Sequence, residues 1–378
     1  MTKMKSVVIC ALASLAGFSA ARAQECDDVN SYFTGASGEV DLGSATSVEC
    51  VSDNEIVILE GTTLTIKSTQ PVVRFFNIRF SVMDGASLIF DMPETQFAPN
   101  GVDEPVSGNI QAFRVHDTAT LTFMGKFEAT ELSMAFMYNS GTTEFKDEAV
   151  FTNNVETFYI NTGVLKFRGD ALFMDNEYHG IDNRSTGFVR FSEKATFINN
   201  GYTYDDTSGC GLENYGGTVI FRGDVIFSEH QCREGAALFN SGKMRFYSKA
   251  YFNDNVSTDV EGGAELGTGA GFINNFGGDA IFKGAAQFNR NNADQIGGAL
   301  FVGDGDVRFS GWTTFAENLA LVNGGAFAVT GGSLTFRKPG RVSASGNTVA
   351  AAGACSFGYV EGGTVVGFDD VCDSTNLI

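Results

Sequence analysis

The sequence predicts an all-β fold, a right-handed parallel β-helix in which coils of three strands stack into a solenoid. Two observations lead to this prediction. A frame of one glycine, two phenylalanines and an asparagine recurs seven times, always with the same internal offsets between its glycine and phenylalanines. Each repeat also holds three short apolar segments separated by turn residues, and none of these segments has a helical period.

The frame starts at a glycine and places phenylalanine at plus four and plus ten and asparagine at plus thirteen. We expect stacked coils to align these side chains into two interior phenylalanine ladders and one asparagine ladder. The glycines are Gly141, Gly163, Gly187, Gly217, Gly242, Gly278 and Gly305. The phenylalanines are Phe145, Phe167, Phe191, Phe221, Phe246, Phe282 and Phe309, then Phe151, Phe173, Phe197, Phe227, Phe252, Phe288 and Phe315. The asparagines are Asn154, Asn176, Asn200, Asn255, Asn291 and Asn318, and His230 takes this place in the remaining frame.

Each strand of a coil follows from this frame. The first strand is predicted around the first phenylalanine, because position plus two is mostly aliphatic and points the same way as plus four. The second strand surrounds the second phenylalanine, which follows a small residue at plus eight. A third apolar segment precedes the next glycine, as in residues 236–239. Strands of successive coils then pair about 4.8 Å apart.

The flanking segments divide the rest of the chain. Residues 1–23 are typical of a secretory signal peptide, with a basic start, an apolar run and a small-residue cleavage site at Ala21-Arg22-Ala23. We predict an N-terminal cap over residues 24–55 and β-helix repeats over residues 56–345, in one elongated domain. A C-terminal coil and cap are predicted over residues 346–378.

The charge of the chain limits its partners. The net charge is −20, and removing the signal segment, with three basic residues and no acid, leaves 22 basic and 45 acidic residues, a net of −23. This charge disfavours nucleic acid and anionic lipid. After the signal segment, no apolar stretch is long enough to span a membrane. We therefore expect a secreted monomer, extracellular or at the cell surface, without a cofactor.

Six cysteines remain after the signal segment, an even number that suits an oxidising compartment. They form three pairs that are close in sequence, each separated by about one repeat. Fifteen connectivities are possible, but stacked coils favour the local pairing. We predict the disulfides Cys26–Cys50, Cys210–Cys232 and Cys355–Cys372. Zinc ligation is disfavoured, because no C-x-x-C or Cys/His cluster occurs.

Two short motifs carry a family resemblance. F-x-x-N occurs in residues 197–200 and 315–318, and G-G-A-[ILV] occurs in residues 297–300. Over residues 141–332 the repeat resembles that of the chlamydial polymorphic outer membrane proteins, and more broadly the right-handed β-helices of the pectin-lyase-like class. The resemblance implies a passenger-like fold and a location at the cell surface.

Catalytic and metal sites have weak support in the sequence. None of His116, His179 and His230 has a neighbouring acid or nucleophile at the spacing of a catalytic triad. Asp304 and Asp306 could hold Ca²⁺, but they lack the spacing of known calcium motifs and are interpreted as a solvated loop. We therefore expect no metal site.

Two sequons for glycosylation occur in the chain. Asn183 is predicted to be an accessible acceptor in a loop. Asn255 occupies a ladder position, and we expect it to be enclosed.

The candidate binding residues lie on the outward face of the first strand, at plus three and plus five. Nine of the sixteen residues at these positions, over the seven frames and the following one, are basic. The candidates are Lys166, Arg168, Arg190, Arg222, Arg245, Lys283 and Arg308. Either acidic loops neutralise this stripe, or it binds an extended anionic polymer.

Two functions are consistent with these observations. The first is a non-catalytic surface, cell-wall or matrix protein that binds anionic polysaccharide. The second is a polysaccharide lyase, hydrolase or epimerase of the pectin-lyase-like class. A cluster of acidic and basic residues on neighbouring coils that lines a groove would favour the enzyme.

Overall fold

The structure is a computed structural model. It describes residues 37–43, 45–98, 111–132, 135–201, 209–258, 267–351, 354–368 and 372–373. The chain divides into two compact units, Met1–Ala171 and Leu172–Ile378. The described residues of both units form strands and turns, apart from one 3-10 turn at Pro339–Arg341.

We name the strands of a coil a, b, c and d in chain order. In the first unit the a-strands are Gly38–Asp41, Thr63–Lys67, Ser87–Asp91, Thr120–Phe123, Thr142–Phe145 and Val164–Phe167. Two long strands, Ser47–Ile58 and Val73–Val82, run through the b and c positions. The later b-strands are Glu94–Phe97, Lys126–Thr130 and Ala149–Thr152, and the later c-strands are Gln111–Val115, Ala135–Asn139 and Glu156–Asn161.

The b-strand Ala171–Met174 contains the boundary between the units. In the second unit the a-strands are Phe188–Phe191, Thr218–Phe221, Lys243–Phe246, Asp279–Phe282, Asp306–Phe309, Ser333–Phe336 and Thr364–Val366. The b-strands are Ala195–Ile198, Val225–Ser228, Ala250–Asn253, Ala286–Asn289, Thr313–Ala316 and Val342–Ser345. The c-strands are Ile181–Asn183, Leu212–Asn214, Leu238–Asn240, Phe272–Asn274, Leu300–Val302, Phe327–Val329, Gly358–Val360 and Cys372–Asp373. Two-residue d-strands are Gln231–Cys232, Val256–Ser257, Asn292–Ala293, Leu319–Ala320 and Thr348–Val349.

Within each unit, strands pair in parallel with the equivalent strands of the next coil, and the frame positions stay in register. In the second unit, for example, Phe221 is the register partner of Phe191 and of Phe246. The prediction of a parallel β-helix is therefore confirmed within each unit. The d-strands are an addition that the sequence did not indicate, because two residues are too few to show a period.

The core consists of the predicted phenylalanine ladders. In the second unit, successive rings from Phe191 to Phe336 on the a-strands stack with centroids 4.2–5.4 Å apart. Successive rings from Phe173 to Phe315 on the b-strands stack at 4.7–5.3 Å. All these rings are at most 2% exposed. Sterics explain why the frame begins with glycine. A Cβ on Gly242, for example, would collide with the carbonyl oxygen of Gly217.

The turn after each b-strand uses an uncommon backbone conformation. In all seven frames the residue at plus twelve has a positive φ between 47° and 63°, although none is glycine. This left-handed conformation costs roughly 1–2 kcal/mol for such residues. The asparagine that follows offsets this cost through the predicted ladder: Asn291 Nδ2 donates to Asn318 Oδ1 at 2.9 Å and to the Phe252 carbonyl at 2.9 Å.

One of the three predicted disulfides lies wholly within the described residues. Cys210 and Cys232 are bonded, with their Cα atoms 6.2 Å apart and 22 residues between them in sequence. Cys26 and the side chains of Cys50 and Cys372 lie outside what the structure describes, so the other two pairings stay predictions. The predicted signal peptide also lies outside the described residues.

The predicted segment boundaries at residues 55 and 345 stay predictions. Strand Gly38–Asp41 falls inside the segment predicted as a cap, strand Ser47–Ile58 crosses its end at residue 55, and both pair in parallel with the next coil. Among the described residues, no helix is long and apolar enough to cross a membrane.

Candidate functional site

The candidate binding residues at plus three lie on the a-strands, and those at plus five directly follow the last residue of these strands. Residues at plus two and plus four of each frame are buried, so residues at plus three and plus five project away from the core. The surroundings of the seven candidates differ. Some are paired with carboxylates, and others have none within ion-pair distance in the described part of the chain.

In the first unit, Glu144 is the centre of an ion-pair group. Its carboxylate binds Lys146 Nζ at 2.5 Å and Arg168 Nε at 2.6 Å. Lys166 is its register partner on the next strand. Although burial opposes the change, the hydrogen bonds from Lys146 and Arg168 lower the pKa of Glu144. Arg168 is therefore largely neutralised.

In the second unit, Arg245 and Arg308 are also neutralised. Arg245 Nη2 lies 2.5 Å from Asp279 Oδ2, and Arg308 Nη2 lies 2.7 Å from Asp306 Oδ2. Arg308 Nη1 is also 3.6 Å from Asp279 Oδ1. Both acids stand at plus one of an a-strand, Asp279 on the strand after that of Arg245 and Asp306 on the strand of Arg308 itself. These arginines are therefore compensated within the sheet and not by the acidic loops that the sequence suggested.

Arg222, Tyr247 and Lys283 form a different group on three consecutive coils, which we call the basic-aromatic trio. The Arg222 guanidinium carbon lies 5.6 Å from the centroid of the Tyr247 ring, and Lys283 Nζ lies 4.2 Å from it. The two cations come from the coils on either side of Tyr247, which is 42% exposed. Within the described ranges neither cation has a carboxylate within ion-pair distance. The ring attracts both cations and holds them in place.

Arg190 is the remaining candidate of the second unit. Its Nε atom is buried, and no hydrogen-bond partner for it exists among the residues that the structure describes. Its register partner on the next strand is Ile220, whose side chain cannot accept a hydrogen bond. Arg190 therefore carries an uncompensated donor beneath the outward face.

A second ionic cluster, which sequence reasoning missed, lies on the c-strands of the second unit. Asp182 and Glu213 are register partners on neighbouring strands. Arg184 Nη2 lies 2.6 Å from Asp182 Oδ2 and 3.8 Å from Glu213 Oε2, and His179 Nε2 lies 3.8 Å from Glu213 Oε2. The middle residue of the following c-strands is Phe239, Ile273, Phe301, Ala328 and Tyr359. Two carboxylates in an otherwise apolar column were the feature of the sequence that could have predicted this cluster.

Burial changes the acidity of this cluster. The Asp182 side chain is only 5% exposed, and its Oδ1 atom has no hydrogen-bond partner within the described part of the chain. Burial, together with the nearby charge of Glu213, raises the pKa of Asp182 to about 6. The Glu213 and His179 side chains are 11% and 12% exposed. The carboxylate and imidazole side chains of the cluster are thus largely enclosed.

The predicted glycosylation site at Asn183 requires a correction. Asn183 ends the strand Ile181–Asn183 and is fully buried, so its placement in an accessible loop is wrong. Its Nδ2 atom, where a glycan would attach, donates to Asn214 Oδ1 at 2.7 Å. Asn255 is also fully buried, as expected.

Asn183 belongs to a second asparagine ladder, at the ends of the c-strands. In the second unit Asn214 donates to Asn240 and Asn240 donates to Asn274, both at 2.7 Å. In the first unit Asn139 donates to Asn161 at 2.8 Å. An asparagine two to four residues before each of the first six frame glycines was the signal for this ladder.

His230 interrupts the first asparagine ladder without breaking its backbone contacts. Its Nδ1 atom accepts the Asn200 amide at 3.1 Å, and its own amide donates to Asn255 Oδ1 at 3.2 Å. Its Nε2 atom is buried without a hydrogen-bond partner among the described residues. Burial lowers the pKa of His230 to about 4. His230 is therefore a neutral structural residue at physiological pH.

Asp304 and Asp306, the candidate Ca²⁺ ligands, have other partners. Asp306 accepts hydrogen bonds from Ser333 and Arg308, which lower its pKa. Asp304 Oδ1 accepts the amide of Gly305 at 2.7 Å. Over the described ranges, no group of three or more His, Cys, Asp or Glu residues is arranged to hold a metal ion.

Comparisons of the chain with protein-family models, with curated proteins and with solved structures found no match.

Proposed function

We propose that this protein is a secreted, non-catalytic β-helix of a cell surface, cell wall or matrix that binds an extended anionic polysaccharide. Its repeat resembles that of chlamydial surface proteins, and its start is typical of a secretory signal peptide. The binding surface is the outward face of the a-strands in the second unit, centred on the basic-aromatic trio.

One observation carries this proposal. Arg222 and Lys283 are exposed cations on a protein with a net charge of −20, and no carboxylate of the described chain pairs with either. In such an acidic chain, surface cations would be expected to find acidic partners, as Arg245, Arg308 and Arg168 do. Arg222 and Lys283 have no acidic partner and are held apart by the exposed Tyr247, so they suit a ligand that supplies the negative charge.

The regular repetition of side chains along this face favours a polymer over a small ligand. A compact anion is usually held in a concave pocket, whereas these side chains stand on successive strands about 4.8 Å apart. The polymer would run across the strands and meet one coil after another. Multiple weak contacts of this kind add up along the chain of the ligand.

The enzymatic alternative depends on the cluster of Asp182, Glu213, His179 and Arg184. Its carboxylates have the composition that acid–base catalysis on a polysaccharide uses. Their side chains are 5% and 11% exposed, however, which leaves little surface for a polymer to reach. We therefore place the binding function on the a-strand face.

The experiment is a comparison of two double variants on an immobilised polyuronate at low and high ionic strength. Arg222→Gln with Lys283→Gln removes the cations of the trio, and we expect retention to weaken about fivefold to tenfold at low ionic strength. Lys126→Gln with Arg290→Gln is the matched control, because it removes the same charge from ion-paired residues elsewhere. The control should bind like the parent protein.

Two results would contradict the proposal. Equal losses in both double variants would mean that net charge alone governs retention. Release of sugar fragments from the polymer, abolished by Asp182→Asn, would favour the enzymatic alternative.

A further inference from the structure

The cations on the outward face of the second unit follow a regular alternation. At plus five, successive coils carry Ser192, Arg222, Tyr247, Lys283, Ser310 and Arg337, so a cation stands on every second coil. The coils stay in register here, because the amides of Tyr247, Lys283 and Ser310 donate to the phenylalanine carbonyls of the preceding coil at 2.8–2.9 Å. The cations of this column are therefore separated by two strand spacings, about 9.6 Å.

The neighbouring column has the same alternation, displaced by one coil. At plus three, successive register partners are Arg190, Ile220, Arg245, Ile281, Arg308 and Thr335. Cations occupy plus three where plus five is Ser192, Tyr247 or Ser310, and they are absent from plus three where plus five is basic. Together the two columns place one cation on each of six coils, alternately on either side of a line that crosses the strands.

This arrangement, the cation zigzag, separates like charges that a simple stripe would bring together. No two of its cations are direct register partners, so none faces another at the strand spacing of about 4.8 Å. Reduced repulsion explains why the cations alternate within a column. It does not explain why Arg222, Lys283 and Arg337, on every second coil, have no carboxylate partner in the described chain. These unpaired cations point to a ligand with a matching period.

The geometry points to a linear polyanion in a twofold-extended form as the ligand, with one anionic group on each residue and successive groups on opposite sides of the chain. This inference rests on the proposed function and specifies its ligand. In a twofold-extended 1,4-linked polyuronate, successive sugars are turned by about half a rotation, and each advances by a distance close to the strand spacing, which is about 4.8 Å. Its carboxylates on one side then recur every second sugar, as the cations of one column do every second coil.

The two columns contribute differently to binding. At plus five, Arg222, Lys283 and Arg337 are exposed and have no carboxylate partner in the described chain. At plus three, Arg245 and Arg308 are only 22% and 30% exposed and share Asp279 as a partner. The plus-five column therefore supplies the primary contacts, and the plus-three column fixes the phase of the ligand.

The test is a variant that moves one cation by one coil without changing composition. Lys283→Ser combined with Ser310→Lys keeps the net charge and the residue types but breaks the alternation at plus five. The probes are an oligomer of 1,4-linked β-mannuronate, which is twofold-extended, and dextran sulfate, which has no regular charge period. Binding is measured by calorimetry on the full chain, and thermal melting checks that the variant folds like the parent.

We expect the exchange to weaken binding of the oligomannuronate about fivefold to tenfold, the effect of one or two lost exposed ion pairs. Binding of dextran sulfate should not change. We also expect the affinity of the parent protein for the oligomer to rise with each added sugar until the oligomer spans the six coils of the zigzag.

The outcomes separate this inference from the proposed function. If the exchange leaves oligomannuronate binding unchanged while Arg222→Gln with Lys283→Gln weakens it, the polyanion function stands and the period match is wrong. If the parent protein binds neither probe, both are overturned. Equal weakening for both probes would also overturn the period match, because an irregular polymer cannot sense the position of one cation.

Discussion

Phe221 shows how much of the fold depends on a single buried ring. It stacks on Phe191 and on Phe246, with centroids 5.0 Å away in both directions, and it is 1% exposed. Rings above and below cannot close the space that its removal leaves, because each is fixed by its own coil.

We expect Phe221→Ala to lower the free energy of unfolding by roughly 3–5 kcal/mol, the cost of a cavity that cannot collapse. Urea or thermal unfolding measures the loss. Phe276→Ala is the matched control, because Phe276 is 68% exposed and the same substitution there should cost little. Similar losses in the two variants would argue against the interior ladder.

His230 makes stability depend on pH in a defined direction. Its pKa falls from an ordinary 6.5 to about 4 in the folded chain because of burial. Between these values the unfolded chain binds a proton that the folded chain does not, so stability falls as pH drops from about 6.5 to about 4. The largest loss from this residue is about 3 kcal/mol.

We expect His230→Asn to remove this loss, because asparagine is the usual residue of the ladder and does not titrate. Urea unfolding between pH 4 and pH 7 should show a flatter profile for the variant than for the parent protein. His116→Asn, which removes a histidine outside the ladder, serves as the control. If the variant had the same pH dependence of unfolding free energy as the parent protein, protonation of His230 would not destabilise the fold.

At the scale of the strand, the c-strand column with Asp182 and Glu213 has the opposite dependence on pH. Burial raises the pKa of Asp182 from 3.8 to about 6. The folded chain then binds a proton more tightly than the unfolded chain, so this contribution to stability is full below about 3.8 and is lost as pH rises to about 6. At neutral pH the ionised carboxylate costs up to about 3 kcal/mol.

Asp182→Asn should therefore stabilise the protein at neutral pH and remove this contribution to the pH profile. Because the effects of His230 and Asp182 oppose each other between about pH 4 and pH 6, the parent profile shows their difference, and single variants are needed to separate them. The exposed Asp117→Asn serves as the control. A destabilised Asp182→Asn protein would mean that the charge pair with Arg184 outweighs the cost of burial.

The sequence predicts the elements whose residues keep a constant offset from the frame glycine. The a-strands, the b-strands, both phenylalanine ladders and the first asparagine ladder all belong to this class. The second asparagine ladder was missed because a turn of variable length separates each of its asparagines from the frame glycine. The offset therefore varies from two to four residues and shows no constant period. The partners of Arg245 could not be predicted either, since Asp279 is 34 residues away on another coil.

At the scale of the whole molecule, stability is distributed over contacts between neighbouring coils. In each unit every asparagine ladder and every phenylalanine ladder links a coil to the next one only, as in other repeat proteins. The disulfide between Cys210 and Cys232 adds a covalent link, closing a loop with a sequence separation of 22 residues. Binding residues placed on such a scaffold have positions fixed by the strand spacing, which is what a ligand with a regular period requires.

The alternation of the cation zigzag has a consequence for how the length of such a chain can change. Adding or removing one coil preserves every type of backbone and amide contact, because each coil meets only its two neighbours. Such a change would also put the alternation out of phase: the cations after the added or removed coil would lie on the opposite side of the zigzag from where the earlier cations would place them. Only the addition or removal of an even number of coils keeps both the fold and the charge pattern. The repeating unit of the surface is therefore two coils long, whereas that of the backbone is one coil.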